Sequence, residues 1–421
     1  MGNRRVLLIA TTTGYQIRSF GDAARALGVD LVFASDRCDH LDDPWRDHAV
    51  PVRFHDPDAS LTALLAAFGE APPAAVVAVG DRPTVLAALA AGRWGMPGNP
   101  PEAAARSRNK LAARAAFRAA GLPVPTFVCV PVDADPRVAA ATFPAVLKPL
   151  ALSGSRGVIR ADNRDEFVAA FARLRRLLQS PDVRLERDEV HDFVLVESFI
   201  PGQEYAVEGV LTHGEFRPLA IFDKPDPLDG PFFEETIYVT PSRAAAAVQH
   251  AIVGAVDAAA RALGLQHGPV HAECRVNPRG VYVLEVAARP IGGLCSRALR
   301  FRDGRQMLSL EDALLRHALG ESIAQVQREE AATGVMMIPI PARGVLRAIG
   351  GVDEALAVPA IEDLVITAKP DTVLTPLPEG RSYLGFIFAS DPQPERVEEA
   401  LREAHRRLQF TIDREVPLAG W

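Results

Sequence analysis

Glu273 and Glu285 lie in the segment HAECRVNPRGVYVLEVAARPIGG, on either side of a turn that decides which side chains face each other. Asn277, Pro278 and Gly280 take the first, second and fourth places favoured in a type I turn, the pattern of a hairpin whose loop ends in a left-handed glycine bulge. In that register Asn277 pairs with Val281, and counting outward sets Glu273 opposite Glu285. Like charges at opposed cross-strand positions repel. A divalent cation between them removes the conflict, because hard carboxylate oxygens suit Mg²⁺, which keeps waters and takes its other ligands from substrate phosphates. The chemistry indicated is that of a nucleoside triphosphate.

The same register predicts a polar face of His271, Glu273, Arg275, Glu285 and Arg289, with Ala272, Cys274, Val276, Tyr282, Leu284 and Val286 turned into a core. A wet face of an antiparallel sheet shows the same alternation, so the hairpin alone fits both readings. Lys148 stands just before Ser153-Gly154-Ser155-Arg156-Gly157, a loop whose glycines allow the backbone to approach an anion closely. The loop lacks the G-x-x-x-x-G-K-[ST] order of a P-loop, and taken alone it fits an ordinary hairpin turn equally. In LVESFIPGQEYAVEGV, Glu197 ends one strand and Glu204 begins the next. Such a hinge can offer backbone groups to an adenine edge and a carboxylate to ribose hydroxyls, and it is also a plain strand, turn and strand.

These residues need elements to carry them. The opening runs strand RVLLIATTTGYQ, helix RSFGDAARALGVD, strand LVFASD and strand AAVVAVGD, the alternation of a parallel sheet wrapped by helices. Gly14 and Gly21 do not form G-x-G-x-x-G, so no nicotinamide cofactor is indicated. Pro97, Pro100 and Pro101 close this unit, and ARSRNKLAARAAFRAAG reads as one continuous helix. Strand FPAVLKP, the glycine loop and a helix capped by Asn163 and Glu166 follow, with Phe167, Phe171, Leu174 and Leu178 on one helix face. Strands FVLVES, EYAVEGVL and FRPLAIFDK make the middle region α+β. After Gly334, short strands and the helix ERVEEALREAHRRL form a separate α+β unit or a lobe packed on the middle one.

At 421 residues the chain exceeds a single core and suggests about three domains. A net charge of −7 argues against a nucleic-acid surface, and the basic runs Arg173 to Arg176 and Arg406-Arg407 read as wet helix faces. Cys38, Cys129, Cys274 and Cys295 are widely spaced, which suits reduced thiols and a cytoplasmic enzyme. No stretch approaches a membrane span, and no membrane partner is expected.

Lys110 in a helix ending at G-L-P-V-P, Lys148 before a small-residue loop, Glu197 with Glu204 downstream, and paired Glu273 and Glu285 occur in the order found in ATP-grasp ligases. The chain resembles them over nearly its whole length. The resemblance implies a mixed α/β and α+β architecture, the ATP-grasp fold: an N-terminal parallel-sheet domain over 1–103, a central ATP-binding domain over 104–300 with a lid lobe at about 122–200, and a C-terminal α+β domain over 301–421 completing the large lobe. It assigns Lys110 and Lys148 to phosphate contacts, Ser153, Gly154, Ser155 and Gly157 to a lid over the phosphates, Glu197, Ser198, Phe199 and Ile200 to adenine, and Glu204 to ribose. Glu273 and Glu285 would hold Mg²⁺ or Mn²⁺ with ATP. Where the family often has Asn two residues after the second glutamate, this chain has Ala287.

Within the family, EVAARPIGG and FDKPDPLDGPFFEE look most like L-amino acid ligases, which join two amino acids. By that resemblance Arg289 stabilises an acyl phosphate and a tetrahedral intermediate, since a guanidinium offers planar, permanently charged donors. Lys224 joins it in catalysis, and Glu235, His271, Gly292 and Gly293 line the substrate pocket. Glu234 and Glu235 fit a surface loop equally. The expected partners are a small carboxylate, a small amine and, from resemblance, a second copy of the chain. A carboxylating ligase using bicarbonate and a nucleotide-binding module without activity are the alternatives.

Overall fold

The computed structural model describes residues 4–11, 16–36 and 49–414, so Gly14 and Cys38 lie outside the described residues. The chain opens on a four-stranded parallel sheet with the spatial order Val50–Pro51, Val29–Ser35, Arg4–Ala10, Ala75–Val79. Val6, Leu7, Leu8 and Ile9 are all fully buried, as a parallel strand covered on both faces requires. Asp81 follows the end of Ala75–Val79, at the carboxyl edge of the sheet where α/β folds present functional groups.

The helix expected through ARSRNKLAARAAFRAAG is in fact two, Pro101–Arg108 and Lys110–Ala119. Asn109 is extended, and its side chain accepts from the backbone N–H groups of Leu111 and Ala112 at 3.0 and 3.1 Å. An asparagine that satisfies the orphan donors of a new first turn starts a helix rather than continuing one. The break matters for the site, because it puts Lys110 at a helix start whose N–H donates to the carbonyl of Leu150 at 2.9 Å.

A second, antiparallel sheet orders Phe127–Pro131, Phe193–Ser198, Ala145–Pro149 and Ile159–Ala161. The helix Arg164–Leu178 covers it with Phe167, Phe171, Leu174 and Leu178, all fully buried. Asn163 caps this helix through the N–H of Glu166, while the Glu166 carboxylate returns to the N–H of Asp162. Arg173 and Arg175, expected on a wet face, are bonded: Arg175 donates to the carbonyls of Val132 and Ala134 at 2.5 and 2.6 Å, and Arg173 grips Glu379.

The third sheet has eight strands in the order Gly280–Ala287, Gly268–Asn277, Gln203–Thr212, Glu215–Asp223, Ile237–Thr240, Ala332–Ile338, Gly385–Asp391, Ile361–Ile366. Strands from the last third of the chain therefore extend the sheet that carries the glutamate hairpin. The helix Ala246–Leu263 packs on one end through Ile252, Val256, Ala260 and Leu263, and Pro394–Arg407 covers the other through Val397 and Leu401.

The hairpin keeps Glu273 opposite Glu285 by a different route from the one expected. Asn277 pairs with Gly280, Val276 with Val281 and Cys274 with Val283, so the loop is one residue tighter than the bulged turn. A bulge between Cys274 and Glu273 then leaves Leu284 without a partner and restores the phase. As a result Val281 and Val283, not Tyr282 and Leu284, face the core, and Leu284 lines the cavity beside Glu285.

Candidate active site

A cavity of about 270 Å³ opens between the second sheet and the eight-stranded sheet. Lys110, Lys148, Ser153, Gly154, Ser155, Glu197, Ser198, Phe199, Ile200, Glu204, Glu235, His271, Glu273, Glu285, Arg289, Gly292 and Gly293 all line it. Gly157 and Lys224 do not. A Cβ on Gly157, whose φ is +76°, would stand 2.9 Å from side-chain carbons of Leu174 and Leu177, so the loop is seated on the helix there.

Lys224 is buried beneath the cavity floor. Its ammonium reaches Glu204 at 2.6 Å, Glu235 at 2.8 Å and Glu273 at 3.3 Å. Burial alone would favour a neutral lysine, but Glu204, Glu235 and Glu273 outweigh it and hold the pKa well above the usual lysine range. Oxygens of these three glutamates lie within 4.8 Å of one another. The cation already bonded to all three is Lys224, so this cluster is an ammonium cage.

Glu197 is the centre of a second network. Arg114 Nε and Lys148 Nζ each lie 2.6 Å from its carboxylate. Burial would raise its pKa, yet Arg114 and Lys148 bring it down to about 2. The Glu197 side chain is thus committed to positioning Lys148. Glu204 is committed likewise, to Lys224 through one oxygen and to Arg275 Nε at 2.8 Å through the other. At the hinge, the Phe199 N–H donates to the carbonyl of Pro144 at 2.7 Å and the Ile200 carbonyl accepts from Arg275 at 2.8 Å. Arg160 lies 4.3 Å and Arg275 5.1 Å from the centre of the Phe199 ring, fixing one wall by cation–π contact.

The opposed pair is more open. Lys110 Nζ is 3.1 Å from Glu285 and 2.8 Å from the carbonyl of Leu152. Side-chain exposure is 26% for Glu285 and 21% for Glu273, against 2% for Glu197, 8% for Glu204 and 14% for Glu235. Two facing carboxylates with accessible oxygens are the donor set that fits Mg²⁺. Ala287 is buried opposite His271 and supplies no ligand. His271 Nδ1 is 3.1 Å from fully buried Glu208; burial lowers its pKa, but the bonds to Glu208 and Glu273 raise it to about 9.

Arg289 Nε donates to Asp81 at 2.9 Å, which links the hairpin's exit to the parallel sheet. The far wall is apolar and aromatic, made of Tyr238, Cys295, Met337, Tyr383 and Phe386. Sequence reasoning missed Arg114, Asp81, Glu208 and Arg381. A signal existed for three: Arg114 is four residues after Lys110 on one helix face, Asp81 ends a parallel strand, and Glu208 shares the strand face of Glu204. Arg381 had none, since it sits in a proline-rich loop distant in the chain.

Residues 141–298 match the model of the ATP-grasp domain, 21–98 the ATP-grasp N-terminal domain and 336–413 the L-amino acid ligase C-terminal domain 2. The chain belongs to the ATP-grasp superfamily. Within it, this ATP-grasp protein is most like the L-amino acid ligases. The crystal structure of L-amino acid ligase from Bacillus licheniformis superposes with a TM-score of 0.82 at 26% identity, covering 98% of this chain and 100% of that one. Alanine–anticapsin ligase of Bacillus subtilis is 31% identical over 49% of this chain, and the match spans 46% of that ligase. An uncharacterized protein of Sinorhizobium fredii is 25% identical over 97% of this chain and 83% of its own length. This ATP-grasp chain is an ATP-dependent, ADP-forming carbon–nitrogen ligase. Among the described residues, no helix is long and apolar enough to cross a membrane.

Proposed function

We propose that the protein joins the carboxylate of one amino acid to the amine of a second through an acyl phosphate. The observation that carries this reading is the meeting, on one cavity, of Lys110, Lys148, the opposed Glu273 and Glu285, and Arg289. A carboxylate oxygen of the first substrate attacks the γ-phosphorus of ATP, the bond to the β-phosphate oxygen breaks, and ADP leaves. The amine nitrogen of the second substrate then attacks the acyl carbon, loses a proton and expels phosphate.

Lys110 and Lys148 face the phosphates, each held by a carboxylate that sets its position. Ser153, Gly154 and Ser155 cover them and exclude water, which would otherwise hydrolyse the intermediate. Ser198, Phe199 and Ile200 receive the adenine, with Glu197 acting through Lys148. Glu204 borders the ribose while its two oxygens hold Lys224 and Arg275. Glu273 and Glu285 would hold Mg²⁺, which supplies charge neutralisation for phosphoryl transfer. Arg289 faces the developing oxyanion, and His271, Glu235, Gly292 and Gly293 border the amino acids. Lys224 keeps the carboxylate cluster in place from below.

The test is ADP and phosphate release from MgATP with single amino acids and pairs, products identified by mass. Release that requires a pair, with a product one water lighter than their sum, supports the reading. Release that depends on bicarbonate alone would replace it with carboxylation, and no release with any amino acid would remove it.

A further inference from the structure

The lid loop is bonded to a loop of the C-terminal region more than 200 residues further along the chain. The Gly157 N–H donates to the carbonyl of Pro378 at 2.8 Å, and Arg156 Nε donates to the carbonyl of Glu379 at 2.9 Å. Arg173, on the helix behind the lid, grips the Glu379 carboxylate through two nitrogens, one at 2.8 Å. Those four bonds clasp residues 378–379 to the lid and to the helix behind it. Two and four residues later, Arg381 and Tyr383 line the cavity.

Arg381 differs from every other base lining the cavity. Lys110, Lys148, Arg275, Arg289 and His271 each hold a carboxylate already. Arg381 is exposed and, among the described residues, has no hydrogen bond or ion pair. Asp182, the carboxylate that senses its charge, is itself bonded to Arg156 at 2.7 Å. A guanidinium held on a clasped loop, facing a cavity with its donors unspent, is suited to a bidentate oxyanion.

We propose that Arg381 is a catalytic residue that binds the γ-phosphoryl oxygens of ATP, delivered by the C-terminal region when its loop is clasped to the lid. This rests on the ATP-dependent reading above. The γ-phosphoryl is favoured over a substrate carboxylate because the clasp joins Arg381's loop to Arg156 and Gly157, within the same Ser153 to Gly157 loop that covers the cavity.

The experiment is calorimetric binding of the ATP analogue AMP-PNP and of ADP, each with Mg²⁺, to the full chain and to Arg381→Ala and Arg381→Lys. The side chain is exposed, so the fold is expected to survive, and thermal melting checks it. Arg381→Ala should weaken AMP-PNP about tenfold or more, the size of a lost charge-assisted bond, and leave ADP within about twofold. Arg381→Lys should recover part of the loss because it restores charge without the fork. Equal weakening of both nucleotides, or no change in either, would overturn the proposal. Neither measurement requires amide formation, so failure of the ligase reading appears separately, as absent product or absent binding in the unaltered chain.

Discussion

Asp81 holds the Arg289 guanidinium through two bonds, 2.9 Å to Nε and 3.3 Å to Nη2, across 208 residues of chain. Burial favours a neutral Asp81, but Arg289 outweighs it and keeps the carboxylate ionised. The parallel sheet, which adds little else to the cavity wall, thereby sets the aim of the arginine assigned to the oxyanion.

Asp81→Asn should therefore lower kcat on the order of a hundredfold, the size expected when a catalytic group is displaced by about 1 Å, with ATP affinity changed little. Steady-state kinetics beside nucleotide titration checks it. A parallel loss of ATP affinity would assign Asp81 to the nucleotide instead.

Glu197 offers a stability test. Removing it as Glu197→Ala leaves Arg114, 1% exposed, without its partner, a change expected to cost about 3–5 kcal/mol. Urea unfolding measures this. Because the Glu197 pKa is held near 2, below its unfolded value, its contribution is complete above the usual carboxylate range and lost as pH falls through 2.

Glu285→Gln should raise the Mg²⁺ concentration for half-maximal activity about tenfold, since an amide oxygen replaces an anionic ligand. A titration of Mg²⁺ into chelator-treated enzyme reads the shift. If the requirement stayed unchanged, Glu285 would be left as the partner of Lys110 alone.

A histidine stack offers a test of stability in mild acid. His267 lies 4.4 Å from His317 and 5.5 Å from His213 between ring centres. Burial, then His317 and His213, depress its pKa to about 4. The unfolded chain binds a proton near pH 6.5 that the folded chain refuses, so stability falls as pH drops from about 6.5 towards 4. His267→Phe keeps the stack and should flatten that slope, read as melting temperature against pH for both proteins. Parallel curves would show that other groups set the acid response.

Much of this site could be read before folding, because its signals are local. Lys148 beside a glycine loop, Glu197 and Glu204 around a turn, and glutamates on alternating positions of a hairpin are set by periods of two residues and by turn chemistry. The ATP-grasp architecture followed from their order along the chain. Even here local rules were not sufficient: the turn at Pro278-Arg279 is tighter than expected and the bulge at Leu284 compensates, so the two glutamates still face each other while Tyr282 and Leu284 leave the core.

What only the tertiary structure decided is which charges are spent. Arg114 lies in an alanine-rich helix that reads as half solvated, yet it is buried against a glutamate 83 residues away. Lys224 is an ammonium caged by carboxylates from three other strands or loops, and Arg381 lines the cavity two residues beyond Glu379, whose carbonyl accepts from Arg156 of the lid. Sequence alone determined most of the elements, the hairpin that opposes Glu273 to Glu285 and the kinds of groups available. Partnership between ions distant in the chain leaves no periodic trace, since it depends on how sheets stack and on which desolvated charge finds an opposite one, and that is settled only when the chain packs.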